Sequence, residues 1–372
     1  MDAPSDTVVT ADSAVPAQAN IYVWHIGETD LERLERLAEL LAAQIAAPAV
    51  IALRGPLGAG KTTFARHLIR AVAADRTTEV TSPTYAIQQV YETARATITH
   101  ADLYRTGGLD EVVETGLEDS FARDLVLIEW PERAEDLLPQ DRFEVTLTPA
   151  GDSLRDVIVT GLGTCAPHAR RLQDVAAFIA RSGWADARID YLKGDASART
   201  YARLTRLALP GAGSQPQAGS EHSASDNAEN AHRGAAAPGG GPATAIVMNA
   251  PRQPDGPVIR DGKPYSAIAH LAEDVRPYVA VLGALDAAGI RVPALYAGDL
   301  DAGLLMIEDL GDAVVADLVR AGERPAKLYR PAVDVLAHLR TVPLDRALPV
   351  TLPTAENLSD SDIGTPSQPL AA

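Results

Sequence analysis

The residues of this chain best placed to do chemistry form one uninterrupted run, Gly55-Pro56-Leu57-Gly58-Ala59-Gly60-Lys61-Thr62, which fits G-x-x-x-x-G-K-[ST] in full. Small residues at this spacing let successive backbone N–H groups turn inward around a triphosphate. Lys61 then reaches the outer phosphates, and the Thr62 hydroxyl is placed to ligate Mg²⁺. The predicted helix opening at Thr62 aims its positive end at the same anion. On the other side of the loop, Ala49-Val50-Ile51-Ala52-Leu53 reads as a strand buried on both faces. A glycine-rich turn carrying a chance lysine would lack this strand–loop–helix setting.

Holding a triphosphate does not hydrolyse it. That step needs an acidic group near the metal and a group that orients water. Glu129 closes the apolar strand Leu125-Val126-Leu127-Ile128, and Asp102 follows a strand expected to end at His100. Each carboxylate alone reads equally well as a surface group at a strand end. Beside the loop, the two read together as site residues.

The elements that must position these groups follow from the hydrophobic spacing. Ile21 to Ile26 is a strand, and Thr29 or Asp30 caps a helix through Ala47, with Leu31, Leu34, Leu37, Leu40 and Leu41 on one face. Thr62 to Ala74 is a second helix, Ala86 to Tyr91 and Ala96 to His100 are strands, and Asp110 to Arg123 is a helix. Arg142 to Thr148 and Arg155 to Thr160 are further strands. Strands alternating with helices predict an α/β domain over residues 21–163, with a central, mostly parallel sheet covered by helices. Residues 1–20 bury little and read as a disordered lead-in.

A second unit is expected over residues 166–345. It contains a helix Arg171 to Ser182, a strand Tyr201 to Leu209, a strand Ala245 to Met248, a helix Ile268 to Ala288 and a strand Gly303 to Glu308. Residues 210–242 hold no Val, Ile, Leu, Phe, Tyr, Trp or Met, and read as a disordered insertion. Residues 346–372 read as a disordered tail. The chain has 33 Lys and Arg against 50 Asp and Glu, a net charge of −17, which argues against a stand-alone nucleic-acid binder. The single cysteine, Cys165, excludes an internal disulfide and a cysteine-built zinc site. No 18-residue apolar run or secretory signal pattern is present, so the expectation is a cytoplasmic chain with no membrane contact.

Four motifs, in order, resemble the TsaE family of bacterial tRNA threonylcarbamoyladenosine synthesis. They are Gly55 through Thr63, Thr81-Ser82-Pro83-Thr84-Tyr85, His100-Ala101-Asp102-Leu103-Tyr104-Arg105 and Ile128-Glu129-Trp130-Pro131-Glu132. The resemblance spans roughly residues 21–162. It implies a P-loop NTPase that binds and hydrolyses ATP with Mg²⁺. Gly55, Gly58, Ala59, Gly60, Lys61, Thr62, Thr63, Thr84 and Trp130 would form the cofactor site. Lys61, Asp102 and Glu129 would be catalytic, with Thr62, Asp102 and Glu129 on the metal. Ser82-Pro83-Thr84 would be a switch-like loop sensing the γ-phosphate. Pro56 departs from the family's more usual Asp or Asn, and no role passes to Thr29. The implied partners are the transferase subunit (TsaD type) and its companion (TsaB type), with tRNA reached indirectly through them. The ATP cycle would reset that complex between turnovers, so that the adenosine beside the anticodon is modified.

In the second half, Gly194 to Leu204, Val247-Met248-Asn249-Ala250-Pro251 and Leu305 to Gly311 resemble the N-terminal lobe of aminoglycoside-phosphotransferase-type kinases. The resemblance is in particular to the bacterial amino-sugar (N-acetylmuramate/N-acetylglucosamine) kinases. After Gly311 no H-x-D…N constellation follows: His338 precedes Leu339-Arg340, Asn357 stands in the tail, and Asp360 and Asp362 read as a solvated run. The expectation is an incomplete α+β kinase-like lobe, lacking the catalytic loop and exposing an apolar face. Three functions stay open at this point: an ATPase serving tRNA modification, a small-molecule kinase with an accessory first half, and a nucleotide-gated binding module.

Overall fold

The computed structural model describes residues 20–83, 87–193, 199–206, 243–252, 258–260, 263–264 and 274–342. The lead-in up to residue 19, the insertion 210–242, the tail 346–372, Thr84, Gly194 to Ala198, Asn357, Asp360 and Asp362 lie outside the described residues.

Two sheets carry the structure. The first is built from β1 (Ile21–Thr29), β2 (Ala49–Arg54), β3 (Gln88–Glu92), β4 (Thr97–Asp102), β5 (Leu125–Glu129), β6 (Arg142–Pro149) and β7 (Arg155–Leu162). Its order is β1-β7-β6-β2-β5-β4-β3. The central strands β6, β2, β5 and β4 run parallel; β7 and β3 pair antiparallel with β6 and β4, and β1 pairs antiparallel with β7. β5 is buried at every residue, as expected for a parallel strand covered on both faces. Alternation along β2 sends Ile51 and Leu53 to one core and Val50 to the other.

Helices α1 (Leu31–Gln44), α2 (Lys61–Ala73) and α4 (Ala166–Arg181) belong to the larger core. The short α3 (Leu109–Glu114) places Val112 in the smaller one, with Leu103 and Ile128. Asp30 caps α1 by accepting the Arg33 N–H at 2.8 Å. The helix expected over Asp110 to Arg123 stops at Glu114. Gly116 turns left-handed at φ 70°, and a 3₁₀ turn Leu117–Ser120 follows. α4 starts a full turn before the expected Arg171, because Pro167 is tolerated in a first turn where its missing N–H costs nothing. Asp102 is the last residue of β4 rather than a residue beyond it.

The second sheet is antiparallel throughout. It comprises β8 (Arg188–Leu192), β9 (Thr200–Thr205), β10 (Thr244–Asn249), β13 (Leu295–Asp299) and β14 (Leu304–Glu308), in the order β13-β14-β10-β9-β8. A two-stranded ribbon, β11 (Val258–Arg260) and β12 (Lys263–Pro264), stands apart from it. The helix expected from Ile268 is described only as Arg276–Ala287, since 265–273 lie outside the described residues. Leu207 to Leu209, expected to extend β9, also lie outside them.

One continuous core joins the two sheets. It runs through Leu41, Phe64, Phe178, Ile189, Leu204, Val247 and Met306. At the seam, the buried Glu39 of α1 pairs with Arg36 and Arg76 and accepts the Ile189 N–H at 2.9 Å. Burial raises the Glu39 pKa above the ordinary glutamate value even against these partners. Asn249 accepts from Arg171 Nε at 2.9 Å and donates to Gln44 at 2.5 Å, tying β10 to α4 and α1. Beyond the second sheet, the helix Pro325–Leu339 has no buried residue, and Tyr329, Val333 and Leu336 are all more than half exposed. Among the described residues this leaves an exposed apolar face on the helix.

Candidate active site

The loop after β2 owes its shape to glycine. Gly55 has φ 141°, and a Cβ there would lie 2.2 Å from the Leu147 carbonyl oxygen of β6, so no larger residue fits. Gly60, at φ 106°, turns the chain into α2. The loop, with Gly55, Gly58, Ala59, Gly60, Lys61, Thr62 and Thr63, is therefore a strand–turn–helix unit as the spacing predicts.

Lys61 is 4% exposed and folded back on its own loop. Its Nζ donates to Gly55 O at 2.7 Å and Pro56 O at 2.9 Å, and lies 3.6 Å from the centroid of the Trp130 ring. Trp130 reaches this position from a left-handed backbone (φ 59°) at the end of β5, and Tyr104 packs on it with ring centroids 4.9 Å apart. Burial lowers the Lys61 pKa from the ordinary lysine value, while Glu129, Glu132 and Asp102 pull it back up.

The parallel register of β4 and β5 sets Asp102 directly beside Glu129, and β2 sets Leu53 on the other side of Glu129. Thr62 Oγ1 donates to Glu129 Oε2 at 2.8 Å. The other carboxylate oxygen, Oε1, meets His100 Nε2 at 3.0 Å. His100 is fully buried and its Nδ1 has no hydrogen-bond partner among the described residues, so the ring proton belongs on Nε2, facing the carboxylate. Asp102 accepts from Ser82 Oγ at 2.6 Å and from the Tyr104 N–H at 3.1 Å. Lys61, Thr62, Asp102, Glu129 and Trp130 thus share one site.

His100 and Tyr104 stood inside the motifs without a role. What makes His100 legible afterwards is strand alternation, which puts it on β4 facing the carboxylate of the neighbouring strand. The oxygen set of Thr62, Asp102 and Glu129 suits a hard cation such as Mg²⁺. Among the described residues no group of three His, Cys, Asp or Glu forms a self-sufficient metal site.

Comparison with known proteins settles the family. The model of the family described as "Threonylcarbamoyl adenosine biosynthesis protein TsaE" matches residues 28–157. The tRNA threonylcarbamoyladenosine biosynthesis protein TsaE of Rickettsia felis is 38% identical over 124 residues, 33% of this chain and 72% of the relative. The chain belongs to the TsaE family. As a TsaE-family member it falls within tRNA threonylcarbamoyladenosine biosynthesis, and the P-loop described above is the family's loop.

A second similarity is to the N-acetylmuramate/N-acetylglucosamine kinase of Caulobacter vibrioides, 34% identical over 175 residues. That is 46% of this chain and 41% of the kinase, so the chain spans well under half of that relative. With the five-stranded antiparallel sheet, it bears out a kinase-like lobe fused to the TsaE part. The crystal structure of Bacillus subtilus YdiB aligns over 42% of this chain and 97% of its own, with 28% identity and a TM-score of 0.34. No helix among the described residues is long and apolar enough to cross a membrane.

Proposed function

We propose that this TsaE-family chain binds ATP with Mg²⁺ in the Gly55–Thr63 loop and hydrolyses it. In this reading it is the ATPase subunit of a tRNA-threonylcarbamoylating complex. The observation that carries the reading is the 2.8 Å bond from the Thr62 hydroxyl to Glu129, with Asp102 in register alongside. A metal-holding hydroxyl and two strand-end carboxylates meet at the mouth of an anion-binding loop.

The backbone N–H groups from Gly58 to Thr62 hold the phosphates. Lys61 exchanges the Gly55 and Pro56 carbonyls for phosphate oxygens. Thr62, Asp102 and Glu129 would hold the ion, and bound Mg²⁺ would neutralise charge developing on the phosphates. Glu129, oriented by His100, would align the attacking water and accept its proton. Thr84 would join the γ-phosphate-sensing segment with Ser82. Transferase and companion subunits of the TsaD and TsaB types would be the partners, with tRNA held by them, and hydrolysis would reset the complex between turnovers.

The test replaces Lys61 with alanine in a system reconstituted with both partner subunits. Lys61→Ala should abolish ATP hydrolysis and threonylcarbamoyl formation together; modification at the wild-type level would refute the assignment. The kinase-like sheet motivates a second reading, phosphorylation of an amino sugar. Labelled sugar phosphate formed by the Lys61→Ala chain would favour it.

A further inference from the structure

The groups facing a γ-phosphate and its metal all lie to one side of the loop. Glu129 and Asp102 stand at the ends of β5 and β4, which follow β2 in the sheet in that direction. A triphosphate whose outer end points toward β5 and β4 must send its nucleoside the other way, over β6 and β7. The residue at the loop-side end of β7 is Arg155, opposite Thr29 of β1 and Pro149 of β6.

Arg155 is held in an unusual way. Its Nε donates to Ala59 O, inside the phosphate loop, at 3.3 Å, and its Nη1 donates to Ser153 O at 2.9 Å. Its Nε also lies 3.5 Å from where a Cβ on Gly60 would be. Among the described residues no carboxylate pairs with it. A half-buried arginine tied only to backbone carbonyls is not there for an ion pair. Bonds from Nε and Nη1, which leave the group in different directions, fix the guanidinium plane and leave its flat face as the surface on offer. A planar guanidinium is the side-chain group best suited to stack on an aromatic base.

We infer that Arg155 is the nucleoside-contacting residue of this site, stacking its guanidinium on the purine of the bound nucleotide. The inference rests on the proposed ATP site and adds the end of the ligand that the phosphate loop does not read. Stacking addresses the ring face and not its hydrogen-bonding edge, so it favours purines over a bare polyphosphate without choosing between adenine and guanine.

The experiment measures equilibrium binding of ATP, GTP and inorganic tripolyphosphate, each with Mg²⁺, to the full-length chain and to Arg155→Ala and Arg155→Lys. Both variants should lose about tenfold in ATP and GTP affinity, as expected for a lost cation–π stack, and keep wild-type tripolyphosphate affinity. Retained tripolyphosphate binding also shows that the loop is still folded. Equal losses for nucleotide and tripolyphosphate would make Arg155 a prop for the loop and overturn the inference. Recovery in Arg155→Lys would overturn it too, since lysine restores charge but not a plane. Wild-type chain that binds tripolyphosphate and ATP equally well sinks the inference and leaves the ATP site standing. Wild-type chain that binds neither ligand sinks both.

Discussion

At the scale of single residues, the site is a set of shared protons and lone pairs. Glu129 uses one oxygen for Thr62 and the other for His100. In Glu129→Gln, the amide oxygen still accepts from His100 Nε2 and the NH₂ can donate to the Thr62 hydroxyl, so the geometry survives. What disappears is the negative charge and the ability to take a proton. ATP hydrolysis should therefore fall by about 10²-fold or more while ATP binding persists, the size expected for loss of a general base. Single-turnover hydrolysis and a binding isotherm on the same preparation check this, and an unchanged rate would remove Glu129 from the chemistry. The same substitution removes one of the three charges that hold the Lys61 ammonium protonated against burial, so the Lys61 pKa should fall further. An NMR titration of its Nζ would show it.

At the scale of elements, what was legible depended on how buried each element is. β2 and β5 announce themselves as continuous apolar runs because helices cover both of their faces. The phosphate loop and Glu129 follow directly, since they sit at the ends of those strands, and Asp102 ends the neighbouring β4. β8 and β13 escaped notice for the opposite reason. Arg188-Ile-Asp-Tyr-Leu192 and Leu295-Tyr-Ala-Gly-Asp299 are five residues each, mixed in polarity and mostly half-buried, too short to show a period. The helix Pro325–Leu339 was missed although its apolar positions have helical spacing, because Pro331 sits inside it. Arg155 could not be found from motifs at all. Only the sheet order brings the start of β7 back to Ala59.

The ends of β2 and β6 are stapled by charge, and here stability should depend on pH. Arg54 reaches Glu144 and Glu135, and Arg142 shares Glu144. Burial alone would raise the Glu144 pKa, but the two arginines outweigh it and hold the carboxyl below the ordinary glutamate range. A lowered folded-state pKa means the unfolded chain takes up the proton first as pH falls. Glu144 therefore contributes stability at neutral pH and loses that contribution from about pH 4.3 downward. Glu144→Gln should be less stable than wild type at pH 7, with the difference narrowing as pH drops through that window. Urea midpoints at pH 7 and in steps down to acid decide it, and a constant difference would show that the pairing has no titratable component.

At the scale of the whole molecule, the two sheets share a core instead of meeting across a polar linker, and that makes a thermodynamic demand. α1 and α4 bury Leu41 and Phe178 in the cluster that also takes Leu204, Val247 and Met306 from the second sheet, and Glu39 and Asn249 close the seam with hydrogen bonds. Neither sheet can open without exposing apolar surface on the other, so the described parts should unfold in one cooperative transition. Two perturbations far apart should then move the same midpoint. Leu204→Ala, at a fully buried position of the second sheet, should lower it by an amount corresponding to about 2–5 kcal/mol. ATP with Mg²⁺ at a hundred times its dissociation constant should raise it by about 2.7 kcal/mol, although the loop lies in the first sheet. Differential scanning calorimetry of the full chain and the Leu204→Ala chain, each with and without nucleotide, reads both effects. Two resolved transitions, with nucleotide shifting one and Leu204→Ala the other, would mean that the kinase-like sheet merely rides on the TsaE-family part. A single peak that both perturbations move would mean that nucleotide bound beside Lys61 stabilises the second sheet through α1 and α4.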